Sequence, residues 1–214
     1  MTPLRAALGA TLLIVAIGAV VALSESRPRL SGTNSVKPVA FLGDVQPGQQ
    51  VCQGGELVPG DTGAVGVFAG TYQRAAGPLS VVVSEGGRAI ASGRSAGGLG
   101  DGTARIPVRR IARTVSGTQV CVRNDGPVRV TLAGLPAPPS GAAALDGAPY
   151  PGRLQLDYFR PGRERWWSLI GPITHRFGFG KAAFLGSWSL WLAAGLLAAA
   201  WAVAIGTLLR RLRP

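Results

Sequence analysis

The sequence predicts a mainly β protein: one antiparallel β-sandwich of jelly-roll or immunoglobulin-like type, flanked by an N-terminal and a C-terminal transmembrane helix. Long uncharged apolar runs near both ends predict the two helices. Between them, over residues 36–135, short β-branched runs are separated by Gly, Pro, Asp and Asn. Many short strands joined by tight turns are typical of an antiparallel sandwich.

Eight short apolar runs predict the strands of the sandwich. Several of them alternate with polar residues, as at Leu79, Val81 and Val83, which places the apolar side chains on one face of a sheet. No helical periodicity appears among them. The predicted strands are Val39–Val45, Gln50–Gln53, Ala64–Phe68, Leu79–Ser84, Arg88–Ser92, Ala104–Val108, Gln119–Arg123 and Val128–Ala133.

Two turn sequences predict hairpins, and a third segment predicts a break in the structure. Residues 85–88 read Glu-Gly-Gly-Arg between two apolar runs, which suits a tight hairpin turn. Residues 124–127 read Asn-Asp-Gly-Pro, a second hairpin signal. Residues 136–160 are rich in Pro and Gly, which disfavour regular structure, and are predicted to form a linker.

Cys52 and Cys121 are the only cysteines of the chain. Two distant cysteines in an exported domain predict one disulfide, which closes a loop of about 70 residues. Two unrelated buried thiols are the alternative. With two cysteines, one histidine and no clustered carboxylates, the sequence predicts neither a metal site nor a cofactor.

Residues 1–24 are predicted to form a signal anchor that crosses the membrane. The uncharged run 6–23 follows Arg5 and is close to the shortest length that spans a bilayer. A cleaved signal peptide is the alternative, because residues 22–24 form an acceptable small-x-small cleavage site.

Residues 188–209 are predicted to form the second transmembrane helix. The tail 210–214 carries three arginines, and a basic flank marks the cytoplasmic side. Arg5 favours the same side for the N-terminus, although Arg27 and Arg29 nearly balance it. Because a disulfide requires an oxidising compartment, we predict a two-pass plasma-membrane protein with both termini cytoplasmic and the central domain outside.

Residues 161–187 predict an amphipathic aromatic segment next to the second helix. It suits the outer leaflet, and its Trp and Arg side chains also suit a protein partner. Packing beneath the sandwich is the alternative. The residues expected at the membrane interface or against a partner are Arg165, Trp166, Trp167, Ile170, His175, Arg176, Phe177, Lys181, Trp188 and Trp191. A stripe of small residues on the second helix, which would admit another helix, consists of Ala194, Ala198, Ala202 and Gly206.

Two short sequences resemble catalytic motifs. Ser95 lies in a G-x-S-x-G pattern, but glycines follow it where that motif needs a helix. Asp61 begins an Asp-Thr-Gly triplet, but turn formers precede it and a second carboxylate would be required. The only histidine, His175, lies in the juxtamembrane segment. The sequence therefore predicts a non-catalytic protein, with an envelope hydrolase using Ser95 or Asp61 as the alternative.

The charge and the aromatic content restrict the partners. The chain has 22 Lys and Arg against 10 Asp and Glu, and the charges are spread along it. Together with the apolar ends, this favours anionic lipid or glycan over nucleic acid. The predicted sandwich offers few aromatic side chains, among them Phe41, Phe68 and Tyr72, which favours a protein partner over a sugar.

Alternating runs lie around Val81, Val120 and Val130, and the cysteine pair is Cys52 and Cys121. With these features the central domain resembles jelly-roll or immunoglobulin-like modules of bacterial envelope proteins. Residues 160–181 are similar to segments beside membrane-bound glycan-assembly machinery of high-GC bacteria. These resemblances imply an envelope protein that binds a partner protein or a glycan, as an accessory to surface-polysaccharide assembly. A structural subunit that docks on a membrane protein through its juxtamembrane segment is the alternative.

Overall fold

The computed structural model describes residues 3–170 and 187–211. The chain divides into two compact units. The first, Pro28–Arg163, contains the two large β-sheets and is called the β unit below. The second combines Met1–Arg27 with Glu164–Pro214 and contains both long helices.

The described residues form mainly β-strands, and their ladders are antiparallel. The long helices are α1 (Pro3–Ser24) and α2 (Ser187–Arg211), Pro139–Gly141 form a 3-10 helix, and residues 166–170 are helical. The strands are β1 (Ser26–Arg27), β2 (Leu30–Thr33), β3 (Ala40–Val45), β4 (Gln50–Val58), β5 (Thr62–Gly70), β6 (Leu79–Glu85), β7 (Arg88–Arg94), β8 (Gly102–Ile111), β9 (Val115–Asn124), β10 (Val130–Pro136), β11 (Ala144–Leu145), β12 (Ala148–Pro149), β13 (Gly152–Leu154), β14 (Leu156–Phe159) and β15 (Glu164–Arg165).

Two sheets form the β unit and share one hydrophobic core. One sheet contains seven strands, β2, β3, β5, β8, β10, β13 and β14; the other contains six, β4, β6, β7, β9, β11 and β12. The core combines Val51 and Val81 of the six-stranded sheet with Val65 of the seven-stranded sheet. Strands β7 and β8 pass so close together that a Cβ atom on Gly93 would collide with the carbonyl oxygen of Pro107.

The eight predicted strands are all present, as β3 to β10, and the prediction of a mainly β chain with antiparallel sheets is confirmed. Several strands are longer than predicted. Strand β8 continues to Ile111 and β9 begins at Val115, because these two buried side chains pair with Thr62 and Val58 beyond an irregularity in each ladder.

One of the two predicted hairpins is confirmed and the other is wrong. Gly86 and Gly87, with φ angles of 56° and 81°, join β6 to β7 as a hairpin. The turn at 124–127 instead joins β9 to β10, which belong to different sheets. Asn124 holds this crossover, since its amide nitrogen donates to the carbonyls of Val45 and Val128, each at 2.9 Å.

The linker prediction for residues 136–160 is wrong for most of that segment. Strands β11 to β14 lie within it. Strands β11, β13 and β14 pair with β4, β10 and β5 of the two sheets, and β12 pairs with β11. Leu154, Leu156 and Tyr158 alternate along the chain and are buried. This alternation is too short to predict a strand from the sequence, because Pro and Gly residues surround it. The β unit therefore extends beyond the predicted limits of 36–135.

The predicted disulfide between Cys52 and Cys121 is confirmed. The two cysteines are directly opposite each other on the neighbouring strands β4 and β9, with their Cα atoms 3.9 Å apart. Both are half-buried on the outer face of the sheet, because the adjacent Val51 and Val122 point into the core. The bridge thus lies within one sheet, whereas the bridge of antibody domains joins two sheets.

A polar cluster around Glu56 lies inside the apolar core. Glu56 is 1 % exposed, and its Oε1 accepts hydrogen bonds from Gln53 and from the guanidinium of Arg153, each at 2.7 Å. The hydroxyl of Tyr158 donates to Oε2 at 3.5 Å. A β-bulge at residues 54–55 shifts the register of β4 so that both Gln53 and Glu56 point inward.

The helical unit contains one candidate membrane span among its described residues, Trp191–Leu208 in α2. None of that window is buried within the protein. In α1 the apolar stretch Ala10–Ser24 is shorter than a typical span, although residues 10–22 are exposed. The β-rich chain is therefore accompanied by one helix long and apolar enough to cross a bilayer.

Candidate ligand-binding groove

A groove with a volume of about 470 Å³ opens at one end of the β unit. Three strand connections meet there: those from β3 to β4, from β5 to β6 and from β9 to β10. We call it the Tyr72 groove, after the aromatic side chain on its wall. Its lining residues are Gln46, Pro47, Thr71, Tyr72, Arg74, Pro127, Val128 and Arg129.

Tyr72 is fixed in place by two charged neighbours although it is 52 % exposed. Its hydroxyl donates to Asp44 at 2.6 Å, and the guanidinium of Arg129 lies 4.7 Å from the centre of its ring. Arg129 also pairs with Asp44 at 3.1 Å. The hydrogen bond to Asp44 raises the pKa of Tyr72 above its usual 10.0, so the side chain stays a neutral phenol in neutral solution.

The backbone that carries Tyr72 is strained. Tyr72 and Gln73 have φ angles of 55° and 61°, a region that costs a residue with a side chain about 1 kcal/mol or more. Asp101 compensates, because its carboxylate accepts hydrogen bonds from the amide and the hydroxyl of Thr71 at 2.5 and 3.0 Å. The backbone of Gln73 also contributes to lowering the pKa of Asp101. Asp101 therefore keeps the Tyr72 loop in a conformation that it would not otherwise favour.

We expect the amide proton resonance of Thr71 to titrate with a midpoint below pH 3.8. The hydrogen bonds from Thr71 lower the pKa of Asp101 from its ordinary 3.8. Because the pKa is lower in the folded state, the contact stabilises the loop above pH 3.8, and this stabilisation is lost as the pH falls through the lowered pKa. Amide chemical shifts of the full chain, recorded across this range, measure the midpoint. In Asp101→Asn the titration should disappear, whereas a midpoint above 3.8 would contradict the contact.

The groove combines an aromatic surface with positive charge. Arg74 is exposed on its wall and forms no ion pair with any residue that the structure describes. Arg129 leaves part of its guanidinium in solvent, since its side chain is 56 % exposed. The amide of Gln46 adds an uncharged donor and acceptor. Such a site can stack on a flat apolar surface while it binds a carboxylate or a phosphate.

The two sequences that resemble catalytic motifs have structural roles here. Ser95 is 7 % exposed, and its hydroxyl accepts a hydrogen bond from the amide of Leu79 at 2.8 Å. Asp61 lies in a turn with a φ angle of 61° and pairs with Arg110 at 2.5 Å. The hydrogen bond from Arg110 lowers the pKa of Asp61, to which the charge of Arg160 contributes. Neither side chain lines the Tyr72 groove.

The residues predicted for the membrane interface are partly described. Trp166, Trp167, Trp188 and Trp191 are between 42 % and 59 % exposed, and the indole nitrogen of Trp167 donates to Ser24 at 3.3 Å. Arg165 pairs with Ser26 across β1 and β15, and Ile170 is half-buried. On α2 the stripe is largely exposed: Ala194, Ala198 and Ala202 face outward and Gly206 is half-buried. The predictions for His175, Arg176, Phe177 and Lys181 lie outside the described residues.

No family model, no curated protein and no solved structure matches this chain. A function for this chain is therefore proposed from the geometry of its β unit. The sequence indicates Tyr72 only as one of the few aromatic side chains of the predicted sandwich, and the predictions made from it do not include Asp44, Asp101 or Arg129. Asp44 and Arg129 each stand within one residue of a strand end, and Asp101 precedes the first residue of β8. Charged residues near strand ends are therefore the sequence signal that indicates this site.

Proposed function

We propose that this chain is a non-catalytic, membrane-anchored envelope protein whose β unit binds an acidic glycan in the Tyr72 groove. The observation that carries the proposal is the groove itself, whose lining combines an exposed aromatic ring with two arginines. The volume falls within the range of small-ligand sites. A protein partner would more often require a broader and flatter surface. We propose an accessory role in surface-polysaccharide assembly only from the resemblance noted in the sequence of residues 160–181.

The anchoring part of the proposal rests on the apolar ends and the disulfide. Trp191–Leu208 meets the length and composition of a membrane span, and Arg210 and Arg211 at its end favour a cytoplasmic C-terminus. A disulfide at Cys52 and Cys121 favours an oxidising, extracytoplasmic compartment for the β unit. We propose that α1 is a second anchor, with both termini cytoplasmic, and that the two sheets form a sandwich of jelly-roll or immunoglobulin-like type.

Binding of short oligouronates to the full chain in lipid nanodiscs tests the glycan proposal. We expect Tyr72→Ala to weaken binding at least tenfold, which is about 1.4 kcal/mol, because the stacking surface is lost. Tyr72→Phe should retain most of the affinity. Arg74→Gln should weaken binding of oligouronates, while neutral oligosaccharides should bind poorly to every variant. Isothermal titration calorimetry measures these affinities.

Arg88→Gln is the matched control, because Arg88 is exposed at the β6–β7 turn and does not line the groove. Equal losses in Arg74→Gln and Arg88→Gln would indicate unspecific charge attraction and contradict a built site. Absence of oligouronate binding, together with a protein captured by a photo-crosslinker at position 72, would replace the glycan by a protein partner.

A second candidate function is that of an assembly subunit, which docks through its aromatic juxtamembrane segment. The exposure of Trp166 and Trp167, at 42 % and 48 %, favours it. A photo-crosslinker at position 166 should then capture one membrane protein in a fixed ratio. Crosslinks to lipid alone would assign these side chains to the membrane interface instead.

A further inference from the structure

The two ends of the β unit differ strongly in charge. The end opposite the Tyr72 groove, which we call the basic end, is where residues 28 and 163 begin and end the unit. The pairing of β2 with β14 brings these two points together. Phe159 of β14 pairs with Leu30 of β2, and the amide of Arg160 donates to the carbonyl of Arg29. The chain therefore enters and leaves the β unit at the basic end.

Three connections between strands complete the basic end. The turn at Asp61 is joined to the end of β8 by the ion pair with Arg110 at 2.5 Å. The β6–β7 turn joins them through Glu85, which pairs with Arg113 at 3.0 Å. A further contact is made by Arg109, whose guanidinium donates to the carbonyl of Ile90. These contacts bring distant parts of the sequence to one surface.

The charge census of the two ends is unequal. The basic end carries seven arginines against Asp61 and Glu85, a formal excess of five positive charges. The end with the Tyr72 groove carries four arginines against four carboxylates. The seven basic-end arginines are Arg29, Arg88, Arg109, Arg110, Arg113 and the pair Arg160 and Arg163. Five of the six excess positive charges of residues 28–163 thus lie at the end at which the chain leaves the β unit.

The basic end lies close in sequence to the segments proposed to anchor the chain, which favours a lipid surface as its partner. Arg29 lies five residues after Ser24, the last residue of α1, which is at most about 18 Å of extended chain. Arg163 directly precedes the second unit, in which Trp191–Leu208 is the candidate span. An anionic bilayer surface attracts each nearby arginine, and the attraction fades within a Debye length of about 8 Å. The short connection from Ser24 to Arg29 therefore allows the basic end to come within a Debye length of the bilayer.

We propose that the basic end of the β unit docks on anionic lipid headgroups, which turns the Tyr72 groove away from the bilayer. This inference rests on the membrane anchoring in the proposed function. The exposed guanidinium groups of Arg88, Arg109, Arg110 and Arg113 contact the headgroup phosphates. The β5 strand, with nine residues, holds the groove about 30 Å away. The groove then faces the surroundings of the membrane, where a polysaccharide chain can reach it.

Hydrogen–deuterium exchange of the full chain in nanodiscs tests the proposal. We compare phosphatidylcholine nanodiscs with nanodiscs that also contain phosphatidylglycerol. Amides of residues 110–114 should exchange about tenfold more slowly in the anionic nanodiscs, and high salt should remove the difference. Amides of residues 71–75 at the groove should exchange equally in both. Equal exchange of residues 110–114 in both nanodiscs would overturn the proposal.

Two double variants provide the matched comparison. Arg88→Gln with Arg109→Gln removes two positive charges from the basic end, and Arg94→Gln with Arg123→Gln removes two from the other end. Only the first pair should reduce the protection of residues 110–114; equal effects would overturn the proposal. Protection by soluble polyphosphate but not by anionic nanodiscs would assign the surface to a soluble polyanion and also overturn it. Failure of the chain to remain in neutral nanodiscs would instead count against the anchoring itself.

Discussion

Replacing Arg153 by methionine should lower the free energy of unfolding of the β unit by about 3 kcal/mol. Glu56 is 1 % exposed, and Arg153 is the cation that pairs with it, at 2.7 Å. Removing one partner of a buried pair leaves an uncompensated charge, which costs about 3–5 kcal/mol. We expect the lower end of this range because the side chain of Arg153 is 40 % exposed.

The measurement is urea unfolding of the full chain in nanodiscs, followed by pulse proteolysis. Tryptophan fluorescence is unsuitable, since residues 28–163 contain no tryptophan. The double variant Arg153→Met with Glu56→Gln should lose less stability than Arg153→Met, because no buried charge remains and an amide can still bond to Gln53. If the single and double variants were equally unstable, the loss would come from packing rather than from the unpaired carboxylate.

Replacing both Cys52 and Cys121 by serine should cost the β unit up to about 4 kcal/mol. The bridge spans 69 residues of sequence, and closing so long a loop restricts the unfolded chain strongly on the chain-entropy account. The serines themselves should be tolerated, because both positions are half-buried on the outer face of the six-stranded sheet. The folded state should therefore keep its architecture while its unfolding midpoint in urea falls.

Chemical reduction of the natural chain supplies the comparison for the serine variant. Reduced natural protein and the serine variant should unfold at similar urea concentrations when both are measured by pulse proteolysis. A loss of less than 1 kcal/mol in the serine variant would mean that residual contacts between β4 and β9 restrict the unfolded chain even without the disulfide.

The strands of the β unit could be predicted because valine-rich alternation is a local signal. The run Leu79, Val81 and Val83 predicts β6 and the face that it buries, without any knowledge of its neighbours. The same signal is too short in β14, where Leu156 and Tyr158 stand between Pro and Gly residues. Pairing with β5 makes this segment a strand, and such pairing is a property of the fold rather than of the segment.

The groove and the Glu56 cluster could not be predicted because each joins distant parts of the chain. Asp44, Tyr72 and Arg129 meet only after three strand connections have been brought to one end. The bulge at residues 54–55, which turns Glu56 inward, depends on the register between β4 and β9. The cysteine pair was an exception, because two cysteines allow a single intramolecular pairing.

The joint entry and exit of the chain at the basic end has a mechanical consequence. A force that separates residues 28 and 163 pulls on β2 and β14 from the same end of an antiparallel ladder. The hydrogen bonds of such a ladder run across the strands, so they are loaded one after another rather than together. The β2–β14 ladder should therefore open like a zipper at low force, while the pairing of β14 with β5 resists further peeling. Lateral movement of the two chain ends would detach β2 first and leave the groove intact.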